Sequence, residues 1–523
     1  MYLRVALLAL PTAALALQFQ LPFKLPFLQQ KALESSQSTR IAIVGAGAAG
    51  SSAAFWIAKA QERSNISIQV DVYERSSYIG GRSTVVYPYD DPQGYPGVEL
   101  GASIFIPANR NLWRATHEFN LSRRDFHDEE GLGIWDGTSL VFAVRHFLYW
   151  VSRLTRLQAT GGWWSWWDTA KALFRYGFHS PRRTQKVVDD MVSKFLTLYS
   201  STPPKWSKLE DLAQTLEWND LLSKNTADWL EGEGVNHRFI SEIVEASTRV
   251  NYGHNVDEIH ALEGACSLAP TGATAVDGGN FQIFEQFLNR STANVFLKTS
   301  VQSITANSSG KWIVASDRGS QSYDAVIIAA PWQSTGIALP EEITIPKQPY
   351  VHLHVTLFST NLSSLPAKSL NLPASTKIPP MLLTTHEGAR NGGKEPEFNS
   401  LSYHGKISDS EWVVKIFSKQ RISDEWLSKM FDGQVGWVYR KEWDAYPVLP
   451  PTSSFPQIKL ADGLYYSNSF EPFISTMETE TISSRNIVDL LLEEHFNTTI
   501  CGKPELSDTV QKDSDDYVYG WDC

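Results

Sequence analysis

The apolar positions of this chain follow two kinds of pattern that alternate along its length. Short, nearly unbroken runs occur at Ile41-Ala-Ile-Val44, Ile68-Gln-Val-Asp-Val-Tyr73, Val295-Phe-Leu297 continuing to Ile304, and Tyr323-Asp-Ala-Val-Ile-Ile-Ala-Ala-Pro331. Runs of this kind, bounded by turn residues, predict strands covered on both faces. A small-residue helix pattern from Ser51 to Ala60 separates the first two, and a second helix pattern spans Met477 to Leu492. Between these lie two long stretches of different texture. Asn111 to Gly264 is helical in pattern, and Pro340 to Pro450 carries the period-two alternation of half-buried strands. Asn391 to Glu397 and Pro447 to Pro451 read as loops. The order predicts an α/β fold in discontinuous pieces. One domain is drawn from residues 38–110, 265–339 and 455–497, an inserted α+β domain from 111–264 and 340–454, and a tail from 498–523.

The first run is followed by Gly45-Ala-Gly47-Ala48-Ala49-Gly50. Gly45 permits a tight turn, Gly47 lets backbone approach a pyrophosphate, and Gly50 lets the helix pack on its strand. The helix N-terminus then offers free N–H groups to the phosphates. A G-x-G-x-x-G alone is weak, but here the second strand ends at Glu74, 24 residues past Gly50. That is the place for a carboxylate that binds a ribose 2′-OH, and it disfavours the 2′-phosphate of NADP. The unit is therefore a Rossmann-like dinucleotide-binding domain.

Composition narrows the rest. The chain has 523 residues, 42% of them hydrophobic, which excludes a disordered chain and predicts at least two domains. Its net charge of −11 comes without any basic cluster, so no nucleic-acid partner is expected. Three cysteines exclude a disulfide scaffold and a thiolate zinc site. Cys501 and Cys523 bracket the tail and either close a loop or remain free thiols, while Cys266 reads as a buried small hydrophobe. Residues 1–17 read as a signal peptide, with Arg4 before the apolar run Val5 to Leu10 and small residues at Ala14-Leu-Ala16. Sequons at Asn65, Asn120, Asn289, Asn307, Asn361 and Asn497 agree with a glycoprotein of the secretory pathway.

After Glu74 come Arg75, a second glycine turn at Gly80-Gly81-Arg82, and Glu99-Leu-Gly101-Ala102-Ser103. This resembles flavoproteins of the glutathione-reductase and amine-oxidase type, which implies FAD. In such proteins the helix after Gly463-Leu-Tyr-Tyr466 and Glu471 points its N-terminus at the flavin. The implied FAD contacts are Gly45, Gly47, Ala48, Ala49, Gly50, Glu74 and Arg75. Gly81, Arg82, Gly101, Ala102, Ser103, Val301, Glu471, Met477 and Glu478 complete the set. Five further blocks are more specific: Arg175-Tyr-Gly-Phe178, Arg249-Val-Asn-Tyr-Gly253, Gly272 through Val276-Asp-Gly-Gly-Asn280, Trp412-Val-Val-Lys-Ile-Phe-Ser418 and Trp443-Asp-Ala-Tyr-Pro447. In order and spacing from Arg40 to Leu492 they resemble the prenylcysteine oxidase (prenylcysteine lyase) family. The stretch Glu471-Pro-Phe-Ile-Ser475 departs from the small-residue, Cys-containing one of its animal members.

The resemblance implies an FAD-dependent oxidase of prenylcysteine thioethers. It would yield a prenyl aldehyde, free cysteine and hydrogen peroxide, using dioxygen, in a lysosome or vacuole or outside the cell. An amine or other apolar-substrate oxidase of the same fold, and a catalytically silent secreted glycoprotein, are the alternatives. Such chemistry needs an apolar slot and a polar end. Gly161-Gly-Trp-Trp-Ser-Trp-Trp167 and the aromatics from Val141 to Val151 either line a lipid channel, touch a membrane surface or pack as core. Arg249, with Asn251 and Tyr252, is expected either to meet the substrate carboxylate or to form a structural ion pair. His352 and His354 share one strand face, and His352 is expected to order a water beside the flavin, with Lys415 as its rival. The two histidines lack a third ligand nearby in sequence, so no metal is expected.

Overall fold

A computed structural model describes residues 38–125, 131–144, 171–503 and 516–523. The signal peptide and the Trp-rich segment lie outside these residues. Strand β1 (Thr39–Val44), helix α1 (Ala48–Arg63) and strand β2 (Ile68–Tyr73) form the opening βαβ unit. β1 and β2 pair in parallel from Thr39↔Ile68 to Val44↔Tyr73. On its other edge β1 pairs in parallel with Ala325–Ile328. The six-stranded sheet runs Lys459–Ala461, Leu464–Tyr466, Ala325–Ile328, β1, β2, Asn294–Phe296.

The unbroken apolar runs follow from this placement. Ile41 and Ile43 face a core shared with α1 and the C-terminal helix Met477–Phe496. Ala42 and Val44 face a second core, built with the antiparallel three-stranded sheet that begins at Val301–Ala306. A strand covered on both sides has no position left for a polar alternation. α1 is longer than its sequence pattern, because Ala48 to Ser51 continue the helix directly from the glycine turn. Its small residues admit the C-terminal helix closely enough for Ser484 Oγ to donate to Ala49 O at 2.7 Å.

The inserted stretches meet in a seven-stranded sheet. Its order is Val438–Pro447, Tyr350–Thr360, Glu411–Ser418, Ser400–Ser408, Met381–Thr384, Leu132–Trp135, Leu140–Val144. All neighbours are antiparallel except Met381–Thr384 with Leu132–Trp135. The hairpin Leu132–Val144 corrects the helical reading of residues 111–264. Asp136 Oδ1 accepts from the backbone of Thr138 and Ser139, and Gly137 takes a φ of +98°, a turn chemistry that folds strands back on each other. Helices do fill most of the remaining described residues, from His179–Leu196 to Ala261–Ser267.

Cys501 and Cys523 are bonded to each other. The closed tail is docked as well as tied. Arg63, the last residue of α1, donates to the carbonyls of Gly520 and Trp521, and Trp521 lies against Phe55 at 5.0 Å between centroids.

Candidate active site

A cavity of about 1660 Å³ runs from the glycine turn to the seven-stranded sheet. Its floor is backbone. Gly45, at φ +111°, donates its N–H to Tyr73 O, and a Cβ there would lie 2.4 Å from Ala329 O. A Cβ on Gly50 would lie 1.9 Å from Gly45 O, so this residue seals the turn against its helix instead of lining the cavity. Gly47 does line it, and a Cβ there would meet nothing closer than Gly81 Cα at 3.8 Å, across open cavity. The second glycine turn is tied to the first by Gly80 N–H to Ala46 O at 2.9 Å. A cradle that excludes Cβ atoms on its walls and leaves one face bare fits the pyrophosphate of a dinucleotide.

The other expected cofactor residues, Ala48, Ala49, Glu74, Arg75, Gly81, Arg82, Gly101, Ala102, Ser103, Val301, Glu471, Met477 and Glu478, all line this cavity. Glu74, at the end of β2, accepts from Ala46 N–H at 2.9 Å and from Ser76 N–H at 2.7 Å, which fixes its carboxylate at the cavity wall. Glu471 is buried, ion-paired with Arg82, and accepts from the Tyr350 hydroxyl. Glu478 accepts from the N–H groups of Asn111 and Leu112 and from Tyr199, pinning the C-terminal helix to its neighbours. Burial pushes its carboxyl up to about 7 against those hydrogen bonds.

Glu480, two residues further along the same helix, gave no signal in the sequence. It is buried on the cavity wall with neither carboxylate oxygen partnered. Burial, and then the charge of Glu471, push its carboxyl well above the usual range.

At the far end the cavity floor is one face of the seven-stranded sheet. Ser402 pairs across the strands with Lys415 on one side and Met381 on the other, and Met381 pairs with Leu132. That row grades from cationic to apolar. Lys415 Nζ donates to Glu99 O and Ser103 Oγ, both at 3.0 Å, and burial lowers it to about 8 against the pull of Glu99. His404, 3.0 Å from Ser402 Oγ, is held neutral by burial and by the charges of Lys415 and Arg124. Burial pushes Glu99 up to about 7, with the Asn280 N–H opposing. The apolar end is Leu132, Met191, Val192, Phe195, Met381 and Leu383.

Tyr252 lines the cavity beside Cys266, and its hydroxyl bonds Glu263, which burial raises to about 8. Cys266 is half-buried, packed against the main core on one side and lining the cavity on the other. Two expectations are corrected. Arg249 is 1% exposed and away from the cavity, where it serves Thr384, Asn255 and Glu395 as a structural cation. His352 lies on the solvent face, against Asp444 and Glu442, because its strand turns Leu353 and Val355 inward. Lys415, on the adjacent strand, is a basic residue that does line the cavity. Ser402 and His404 were legible only as an alternation whose facing could not be known.

A fold in which a Gly-lined dinucleotide cradle on a six-stranded sheet opens onto a cavity walled by a seven-stranded one defines an oxidoreductase-type architecture. The solved structure of a putrescine oxidase triple mutant shares it, with a TM-score of 0.57 at 15% identity over 87% of this chain and 99% of that one. The chain belongs to the prenylcysteine lyase family, whose sequence profile matches residues 160–501. An NAD(P)-binding Rossmann-like domain profile matches residues 43–119. Farnesylcysteine lyase of Arabidopsis thaliana is 29% identical over 472 residues, covering 88% of this chain and 89% of that protein. Prenylcysteine oxidase 1 of Mus musculus is 30% identical over 488 residues, covering 86% and 87%.

Proposed function

We propose that this chain is an FAD-dependent oxidase that cleaves the thioether of prenylcysteines, with dioxygen as electron acceptor. The observation that carries the reading is the unbroken cavity, which joins a dinucleotide cradle to a sheet face graded from Lys415 and His404 to Leu132 and Leu383. A substrate with an isoprenoid chain at one end and a zwitterionic amino acid at the other matches that gradient. The family and its curated members support the same substrate class.

When bound, FAD supplies hydride acceptance from the carbon attached to sulfur and passes the electrons to dioxygen, giving hydrogen peroxide. The protein's own contribution is placement and proton control. The apolar wall seats the prenyl chain and excludes bulk water. Lys415, with two of its hydrogen positions used by Glu99 O and Ser103 Oγ, is poised near neutrality to take a proton from the water that adds to the oxidised carbon. The resulting hemithioacetal breaks its C–S bond to give prenyl aldehyde and cysteine thiol. Tyr252, the neutral Glu263 and His404 line or back the polar end as hydrogen-bonding groups without net charge.

The reading extends to location and surroundings. The N-terminal pattern, the sequons and the Cys501–Cys523 bond support a secretory-pathway protein, lysosomal, vacuolar or secreted. Peripheral contact with lipid through the Trp-rich segment belongs to the same reading. Purified holoprotein given farnesylcysteine should bleach its flavin without oxygen and release peroxide with it. Peroxide from amines but from no prenyl thioether would overturn the assignment in favour of an amine oxidase.

A further inference from the structure

We propose that His352, His354 and Glu442, with Asp444 beside them, form a binding site for one divalent transition metal of the zinc class on the solvent face of the seven-stranded sheet. The histidines lie on strand Tyr350–Thr360 and the carboxylates on its antiparallel neighbour Val438–Pro447. His352 pairs directly with Asp444, and His354 with Glu442. Alternation therefore puts all four side chains on one face, in two directly opposed pairs. The pairing slips between Val351 and His352, a bulge of the kind that re-aims side chains.

The distances are those of a loosely gathered ligand set. His354 Nδ1 is 3.4 Å from Glu442 Oε1, His352 Nε2 is 3.9 Å from Glu442 Oε2, and His352 Nδ1 is 3.2 Å from Asp444 Oδ1. One ligating atom from each of His352, His354 and Glu442 falls within 4.8 Å of the others. Around a tetrahedral zinc ion with bonds of 2.0–2.1 Å, neighbouring donors stand about 3.3 Å apart, so shifts of about 1 Å in the exposed His352 and Glu442 side chains close the set around His354. His354 Nδ1 is enclosed yet makes no hydrogen bond, although Glu442 Oε1 is within reach. A ring nitrogen facing a carboxylate with no proton aligned between them is an arrangement a cation completes. Among the described residues neither Glu442 nor Asp444 is ion-paired with a lysine or arginine, and both have imidazoles as their partners. Two imidazoles with carboxylate oxygens favour zinc, copper or nickel over calcium or magnesium, and the exposed side leaves room for water ligands.

Glu442 and Asp444 also border the cavity, and Tyr350 at the start of the histidine strand bonds Glu471 inside it. A bound ion would fasten these two strands at the cavity margin. The site does not depend on the proposed oxidase activity. Chelator-stripped full-length holoprotein, titrated calorimetrically with zinc chloride, should bind one equivalent saturably. The double variant His352→Ala/His354→Ala should weaken binding by more than about 100-fold, and Glu442→Gln by about tenfold or more. Flavin absorbance and circular dichroism check that each variant is folded. His237→Ala, which removes an exposed imidazole beside Glu231 elsewhere, should change nothing. Absence of saturable binding, or binding that survives the double variant or Glu442→Gln, overturns the proposal.

Discussion

The two ends of the cavity are built on opposite plans. The cradle end is made of main chain, around glycines that one short motif supplies. Gly45, Gly47 and Gly50 act through the side chains they lack, and what surrounds the turn is mostly main chain, from Gly45 itself, Tyr73, Gly81 and Ala329. The substrate end is made of side chains, delivered one or two at a time by strands far apart in the chain: Leu132, Met381, Ser402, Lys415. One plan tolerates almost no change of residue, and the other sets chemistry by register. This is why a single fold can keep its cofactor end while its reacting end is rebuilt.

Substitutions at the two ends should therefore fail in different ways. The largest effect is expected at the cradle. Gly50→Val drives a side chain into Gly45 O and should destabilise the whole fold by about 3 kcal/mol or more, read as loss of the thermal transition. Gly47→Val should instead leave a folded protein without flavin absorbance, because only the open face of the turn is filled. A Gly47→Val protein that keeps full flavin content would erase the contrast.

At the other end Lys415→Met should keep the flavin and lower turnover by about 100-fold or more. In the intact protein, where burial holds this amine near 8, the rate should climb as pH rises through that value, and the variant should lack the climb. A pH profile unchanged by the substitution would remove Lys415 from the proton step.

Smaller effects test what ties the two ends together. Cys523→Ser opens a bond between residues 22 apart and should lower stability by about 3 kcal/mol in thermal or urea unfolding, with the flavin still bound in the folded fraction. Glu263 gives the subtlest test. Its folded carboxyl titrates near 8 against an ordinary 4.5, so its stabilisation is complete below about 4.5 and is lost as pH rises through 8. Glu263→Gln should narrow the difference in melting temperature between pH 5 and pH 8, and an unchanged difference would place the titration elsewhere.

The same division explains what could be read in advance. The glycine spacing, Glu74 and the buried strand runs are local signals with one physical meaning each, and the structure brings them to one cavity. Arg249 and His352 were misplaced because residue type and spacing reveal neither which face of a strand turns inward nor which partners satisfy a cation. Glu480 and His404 depend on tertiary burial that no local pattern encodes. The His352–His354 pair looked incomplete as a ligand set because Glu442 lies on a strand that only the fold makes adjacent.

The docked tail carries a consequence of its own. Arg63 grips the final residues at one end of α1, while the opposite end of that helix is the glycine turn itself. The chain terminus is in effect a doorstop behind the rod on which the nucleotide rests. Removing residues 520–523, or exposing the protein to a strong thiol reductant, would leave the far end of that rod unpropped and lower the temperature at which the molecule comes apart, while the folded fraction still holds its prosthetic group.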